Sequence, residues 1–251
     1  MDRGKAYKAL VENVQKHYGV KGDEAPFLVS LDEAFGSCGE INLYTYWQGR
    51  GYAENTPSIK YLLVGQDWGN PFSTPPSFQD RIKKIIRGED LPYIVDEHNI
   101  DSGFQTDTNV IALFRHLGYE IAREQYSDLF FTNFCLGYRS GRNSGNMTKA
   151  LMEKDMESFQ KLCELLKPQN ILCLGQLTFQ CVYAALVKNR VKAYQGGYLK
   201  YIESRPKINA DAAYGSGRIF PLVHCGGLGL RNRPLDRQRT DWDWVKRESL
   251  R

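Results

Sequence analysis

Ile59-Lys60-Tyr61-Leu62-Leu63-Val64-Gly65-Gln66-Asp67-Trp68-Gly69 is the stretch on which the fold turns. Its first half runs apolar and β-branched with little polar alternation, the pattern of a strand covered on both faces. Gly65 then permits a sharp turn where the strand ends. Open α/β sheets bind their ligands outside the carboxyl ends of their strands, so Asp67, beside that turn, is a candidate catalytic carboxylate. The alternative, that Asp67 caps a following helix, fits less well, because Trp68, Gly69 and Pro71 come next.

Working outward, three more segments repeat the theme. Residues 129–134 (Leu-Phe-Phe-Thr-Asn-Phe) read as a second strand, 170–175 (Asn-Ile-Leu-Cys-Leu-Gly) as a third, and 218–224 (Arg-Ile-Phe-Pro-Leu-Val-His) as a fourth. Helical periodicity separates them, over 109–117, 148–166 and 177–188, with a C-terminal helix over 235–250. Further elements are expected at 2–18 and 78–87, both helical. Loops are expected at 26–58, 68–79, 88–107 and 138–146. Residues 189–218 read as a loop or an excursion, and 225–234 as a glycine-rich loop. Strands alternating with helices predict an α/β fold: a three-layer α/β/α sandwich around a central, mainly parallel four-stranded sheet. No linker, repeat or low-complexity tract interrupts 1–251, so one domain is expected.

Composition narrows the class without choosing the chemistry. The 251 residues are 42% hydrophobic and 25% charged, typical of a globular protein, and the net charge of +4 permits phosphate contact without requiring it. From Arg231 to Arg251 seven basic residues face four acids, a pattern that a solvated helix explains by itself. None of the six cysteines forms a Cys-x-x-Cys pair, and Cys163, Cys173 and Cys181 sit among apolar residues as small core side chains. No metal site, cofactor, secretory leader or membrane span is expected, and a reducing cytoplasm suits the thiols.

Three strand ends present polar residues of complementary kinds: Asp67, Asn133 and His224. In a parallel sheet they converge on one edge. Asn133 offers one donor and one acceptor to a base edge, His224 can support a leaving group gaining negative charge, and Asp67 can stabilise a sugar cation or orient water. Taken singly, Asn133 is equally well explained as satisfying a buried backbone group, and His224 is better explained as a hydrogen-bonded core histidine; their shared location sets them apart.

These motifs resemble those of the uracil-DNA glycosylase superfamily, in order and spacing across about 59–230. Gly65-Gln66-Asp67-Trp68-Gly69 is similar to the family's Gly-Gln-Asp-Pro-Tyr motif. Residues 129–133 resemble the strand ending in the uracil-reading Asn, 171–175 the next hydrophobic strand, and Val223-His224-Cys225-Gly226-Gly227-Leu228 the His-Pro-Ser loop. The resemblance implies a monofunctional DNA glycosylase in base excision repair, acting as a monomer on uracil or a related deaminated base flipped out of DNA, without metal or lyase lysine. It implies catalytic roles for Asp67 and His224. Base binding would fall to the backbone beside Gln66, to Asn133, to Trp68 and Gly69, and to a stacking Phe78, with Phe72 as the alternative. Gly226, Gly227 and Gly229 would offer N–H groups to phosphate, Leu228 or Leu230 would wedge the stack, and Arg231 and Arg233 would face the backbone. Two departures stand out. Gly69 replaces the Tyr that excludes thymine's methyl, and Cys225-Gly226 replaces the phosphate-gripping Pro-Ser. They leave open a non-catalytic nucleobase or DNA binder of the same fold, or a hydrolase of small nucleoside-like ligands.

Overall fold

The computed structural model describes residues 59–67, 105–121, 126, 128–135, 138–139, 147–188, 194 and 196–250, with 6, 9, 10, 13, 28 and 29. The expectations for Cys38, Trp68, Gly69, Phe72, Phe78, the helix at 78–87 and the loop at 68–79 lie outside these residues.

Six strands and seven helices follow in chain order among the described residues. They are β1 (Leu28–Val29), β2 (Tyr61–Gly65), α1 (Gln105–Leu117), β3 (Leu129–Asn133), β4 (Tyr138–Arg139), α2 (Lys149–Glu153) and α3 (Met156–Leu166). Then come β5 (Asn170–Leu174), α4 (Gln176–Leu186), α5 (Tyr198–Glu203), β6 (Arg218–Leu222), α6 (Gly227–Asn232) and α7 (Leu235–Glu248). The central sheet has the order β3-β2-β5-β6, and all three pairings are parallel. β1 and β4 form a separate antiparallel pair.

Side-chain alternation along the strands builds the two outer layers. Leu62, Val64, Phe130, Ile171, Cys173 and Ile219 point to one face, against Met152, Phe159, Leu162, Phe179 and Val182 of α2, α3 and α4. Tyr61, Leu63, Phe131, Leu172, Phe220 and Leu222 point to the other, against Val110, Leu113 and Phe114 of α1 and Trp242 and Val245 of α7. The expected three-layer α/β/α sandwich with a parallel four-stranded centre is therefore what the chain forms. The connection from β2 leads to β3 on one side, whereas that from β5 leads to β6 on the other. The crevice at the carboxyl ends of β2 and β5 is thus a topological switch point.

Several expected boundaries shift for identifiable reasons. The helix read over 148–166 is two helices: Thr148 caps α2 by accepting the Leu151 N–H at 3.2 Å, and the chain re-enters helix at Asp155. α3 ends at Lys167 in the left-handed region (φ 45°), because Pro168 disfavours helical geometry at the residue before it. α1 starts at Gln105, inside a segment expected to be irregular. The polar loop expected from Tyr138 instead begins with β4, paired to β1. The excursion 189–218 contains α5 and a 3-10 turn at Ala212–Tyr214, and the glycine-rich segment contains α6. Near the N-terminus, residues 6, 9, 10 and 13 are helical, and Leu10 joins the core.

Candidate active site

The parallel register sets Gly65 opposite Asn133 at the ends of β2 and β3. Pairing continues past the strands: Phe134 N–H donates to the Gly65 carbonyl at 2.9 Å, and Cys135 N–H to that of Gln66 at 3.0 Å. The Asn133 amide approaches Gly65 so closely that a β-carbon at Gly65 would stand 2.1 Å from Asn133 Oδ1. Glycine leaves room here for the Asn133 amide, and the constraint is one of contact rather than of backbone angle. Asn133 is only 6% exposed, at the carboxyl end of β3. An amide at a strand end offers one donor and one acceptor to a ligand in the crevice.

Gln66 and Asp67 follow at once. Gln66 Nε2 donates to Asp67 Oδ2 at 2.9 Å, which orients the carboxylate, and both residues are half-buried. The charge of Asp67 reaches His224: it raises the imidazole pKa, but burial, the larger effect, holds it below the ordinary histidine value. The ring is therefore biased toward its neutral form. Gly226 N–H donates to His224 Nδ1 at 2.9 Å, so Nδ1 is an acceptor and the proton of the neutral ring sits on Nε2. Asp67, Asn133 and His224 thus meet at one sheet edge, as their positions after parallel strands require.

β6 ends at Leu222, two residues before His224, so that residue is held by its loop. Asn109 Nδ2 of α1 donates to the Cys225 carbonyl at 2.7 Å, and Cys225 Sγ lies 3.7 Å from the Thr106 carbonyl. The Tyr198 hydroxyl meets the carbonyls of Leu222 at 3.0 Å and Gly175 at 3.3 Å, bridging the ends of β6 and β5. A β-carbon at Gly226 would stand 2.9 Å from the His224 ring, and one at Gly229 would stand 1.6 Å from its carbonyl oxygen. Sequence reading missed Asn109 and Tyr198 as supports. Asn109 had a signal, since it occupies the apolar stripe of α1 one turn before Leu113. Tyr198 had none.

The structure corrects part of the expected phosphate grip. Arg233 does not face outward: it is 7% exposed, with Nε and Nη2 on Asp241 at 2.5 and 2.8 Å and Nη1 on Glu203 at 3.0 Å. The buried carboxylate of Asp241 needs that partner, and Arg205 Nη1 also reaches it at 2.7 Å. The Gly226 N–H is committed to His224 Nδ1 and is not offered to phosphate. Gly227 and Leu228 are exposed on the first turn of α6, with Leu228 72% exposed, and Arg231 is exposed beyond them.

Cys163, Cys173 and Cys181 are fully covered core residues, as expected, and burial raises all three thiol pKa values. Among the described residues, no cluster of His, Cys, Asp and Glu is placed to hold a metal, and no helix is long and apolar enough to cross a membrane. Comparison with protein-family models and with curated proteins yields no match to this chain.

Proposed function

We propose that the protein is a uracil-DNA glycosylase-like enzyme: a monofunctional hydrolase of the N-glycosidic bond of uracil or a related deaminated base in DNA. The observation that carries this reading is the placement of the largely buried Asn133, in contact with Gly65, at one sheet edge with Asp67 and a neutral-biased His224. A deaminated base presents a carbonyl beside a ring N–H, the edge that one amide donor and one amide acceptor read together. His224 donates from Nε2 to the base oxygen that gains charge as the bond breaks. Because Gly226 feeds Nδ1, the donor proton is in place beforehand. Asp67, steadied by Gln66, faces the sugar as it becomes cationic and orients the attacking water. Leu228 is exposed to fill the gap left by the flipped base.

A second reading, a hydrolase of small nucleoside-like ligands, is favoured by one specific finding: Arg233 and the Gly226 N–H are spent inside the protein. One experiment separates the two. The protein is incubated with oligonucleotides carrying uracil, hypoxanthine or xanthine, single-stranded and paired, and with the free nucleosides, at several salt concentrations; Asp67→Asn is run alongside. Salt-sensitive base release from DNA that Asp67→Asn abolishes supports the glycosylase. Salt-insensitive release from nucleosides alone supports the second reading. No release from any substrate by folded protein refutes both and leaves a non-catalytic binder.

A further inference from the structure

The segment from Val223 to Asn232 carries His224, the Gly226 N–H that fixes its tautomer, and the exposed Leu228 and Arg231. It is entered from the end of β6 at Leu222 and left at Arg233, which follows α6. One short helix, α5, reaches both ends. At its first residue, the Tyr198 hydroxyl donates to the Leu222 carbonyl at 3.0 Å and lies 3.3 Å from that of Gly175. At its last residue, the Glu203 carboxylate accepts from Arg233 Nη1 at 3.0 Å. Arg205, two residues on, donates at 2.7 Å to Asp241, the carboxylate that also holds Arg233.

Each end of α5 is itself fixed. The Tyr198 ring lies 6.0 Å from Phe179 and 5.8 Å from Tyr194, centre to centre, so α5 packs on α4. Arg205 has a left-handed backbone (φ 51°), which a non-glycine residue keeps only where its surroundings hold it there. Its guanidinium lies 5.1 Å from the centre of the Trp244 ring. Between the two anchored ends the segment packs on itself. Gly229 of α6 sits so close to His224 that a β-carbon there would overlap the His224 carbonyl oxygen. A shift of α6 therefore displaces His224.

We propose that α5 is a brace that positions His224: it holds residues 223–232 at both ends, through Tyr198 on one side and Glu203 with Arg205 on the other, and so sets the imidazole against the crevice. These three are positioning residues, acting through His224 rather than on the substrate. The inference rests on the catalytic role proposed for His224, but its test does not need activity.

The test is an NMR titration of the His224 ring in the full chain, its resonance identified by its absence from His224→Gln. In the wild type, burial holds that pKa below 6.5. Tyr198→Phe removes one hydroxyl and keeps the ring, and the Leu222 carbonyl still accepts the Gly175 N–H at 2.8 Å, so the fold should persist. A loosened loop admits water to the imidazole, and its pKa should rise toward 6.5. Glu203→Ala, a change at a side chain that is 59% exposed, should act in the same direction. Loss of that negative charge alone would lower the pKa, so a rise reports movement rather than charge. Lys200→Ala, on the same helix but at neither anchor, should leave the titration as it is in the wild type. In both anchor variants kcat for base release should fall about tenfold with KM little changed. A raised pKa in a protein that releases no base leaves the brace standing and refutes the glycosylase reading alone. An unchanged His224 titration in either folded anchor variant overturns the brace, whether or not base is released, as does an equal rise in Lys200→Ala.

Discussion

Gly65→Ala should silence the proposed active site while leaving the fold almost untouched. The new methyl would stand 2.1 Å from Asn133 Oδ1 and 3.4 Å from Asn133 Cγ. To regain an ordinary contact of about 3.4 Å, the amide oxygen must retreat by about 1.3 Å. The atom that must move is the tip of a side chain, not backbone, so the strain is on the order of 0.5–1.5 kcal/mol for an off-rotamer torsion. Replacing glycine by alanine within a strand returns about 0.5–1 kcal/mol. The two nearly cancel, and the urea midpoint should stay within the equivalent of about 1 kcal/mol. Function does not share that tolerance: a displacement of about 1 Å in a positioning group costs roughly 100-fold in rate. Single-turnover base release should therefore fall about 100-fold. Asn133→Ala should lose at least as much, and the double variant no more than Asn133→Ala alone, because both changes remove the same reading amide. Full activity in a normally stable Gly65→Ala protein would refute the role assigned to Asn133.

Five further outcomes are expected. His224→Ala should cost about 2–4 kcal/mol of transition-state stabilisation, measured as kcat/KM for base release against wild type. Because burial lowers the His224 pKa, the unfolded chain binds more protons than the folded one between the folded value and about 6.5. Stability should thus be highest above that range and decline as pH falls through it; urea titrations from pH 7.5 to 5 should show a slope that His224→Gln reduces. Asn109→Ala removes the side-chain donor to the Cys225 carbonyl, costing about 0.5–1.5 kcal/mol by chemical denaturation, and lets the His224 loop drift, so kcat should fall more than KM rises. Asp241→Ala, which leaves Arg233 buried without its main partner, should destabilise by about 3–5 kcal/mol. Arg231→Ala should leave stability unchanged and lower the salt slope of DNA binding by about 1.

The core strands and their ends were legible in the sequence because two-sided burial imposes a local signature. Tyr61–Gly65, Leu129–Asn133 and Asn170–Leu174 are nearly unbroken apolar runs, and each carries a glycine or asparagine where it stops. From alternating strands and helices the parallel sheet follows, and with it the meeting of Asp67, Asn133 and His224 at one edge. Residue type alone marked those three as chemically capable.

Only the tertiary structure decided how they are held and which charges are free. The Asn109–Cys225 contact spans 116 residues, and the Tyr198 bridge joins two strand ends, so no local pattern encodes either. Arg231 and Arg233 look alike in the sequence, yet one is exposed and the other is sealed against Asp241. That difference arises because α7 folds back and brings a buried carboxylate to the second arginine alone. Hydrophobic periodicity is written along the chain; the pairing of buried polar groups is written across it, and appears only when distant segments meet.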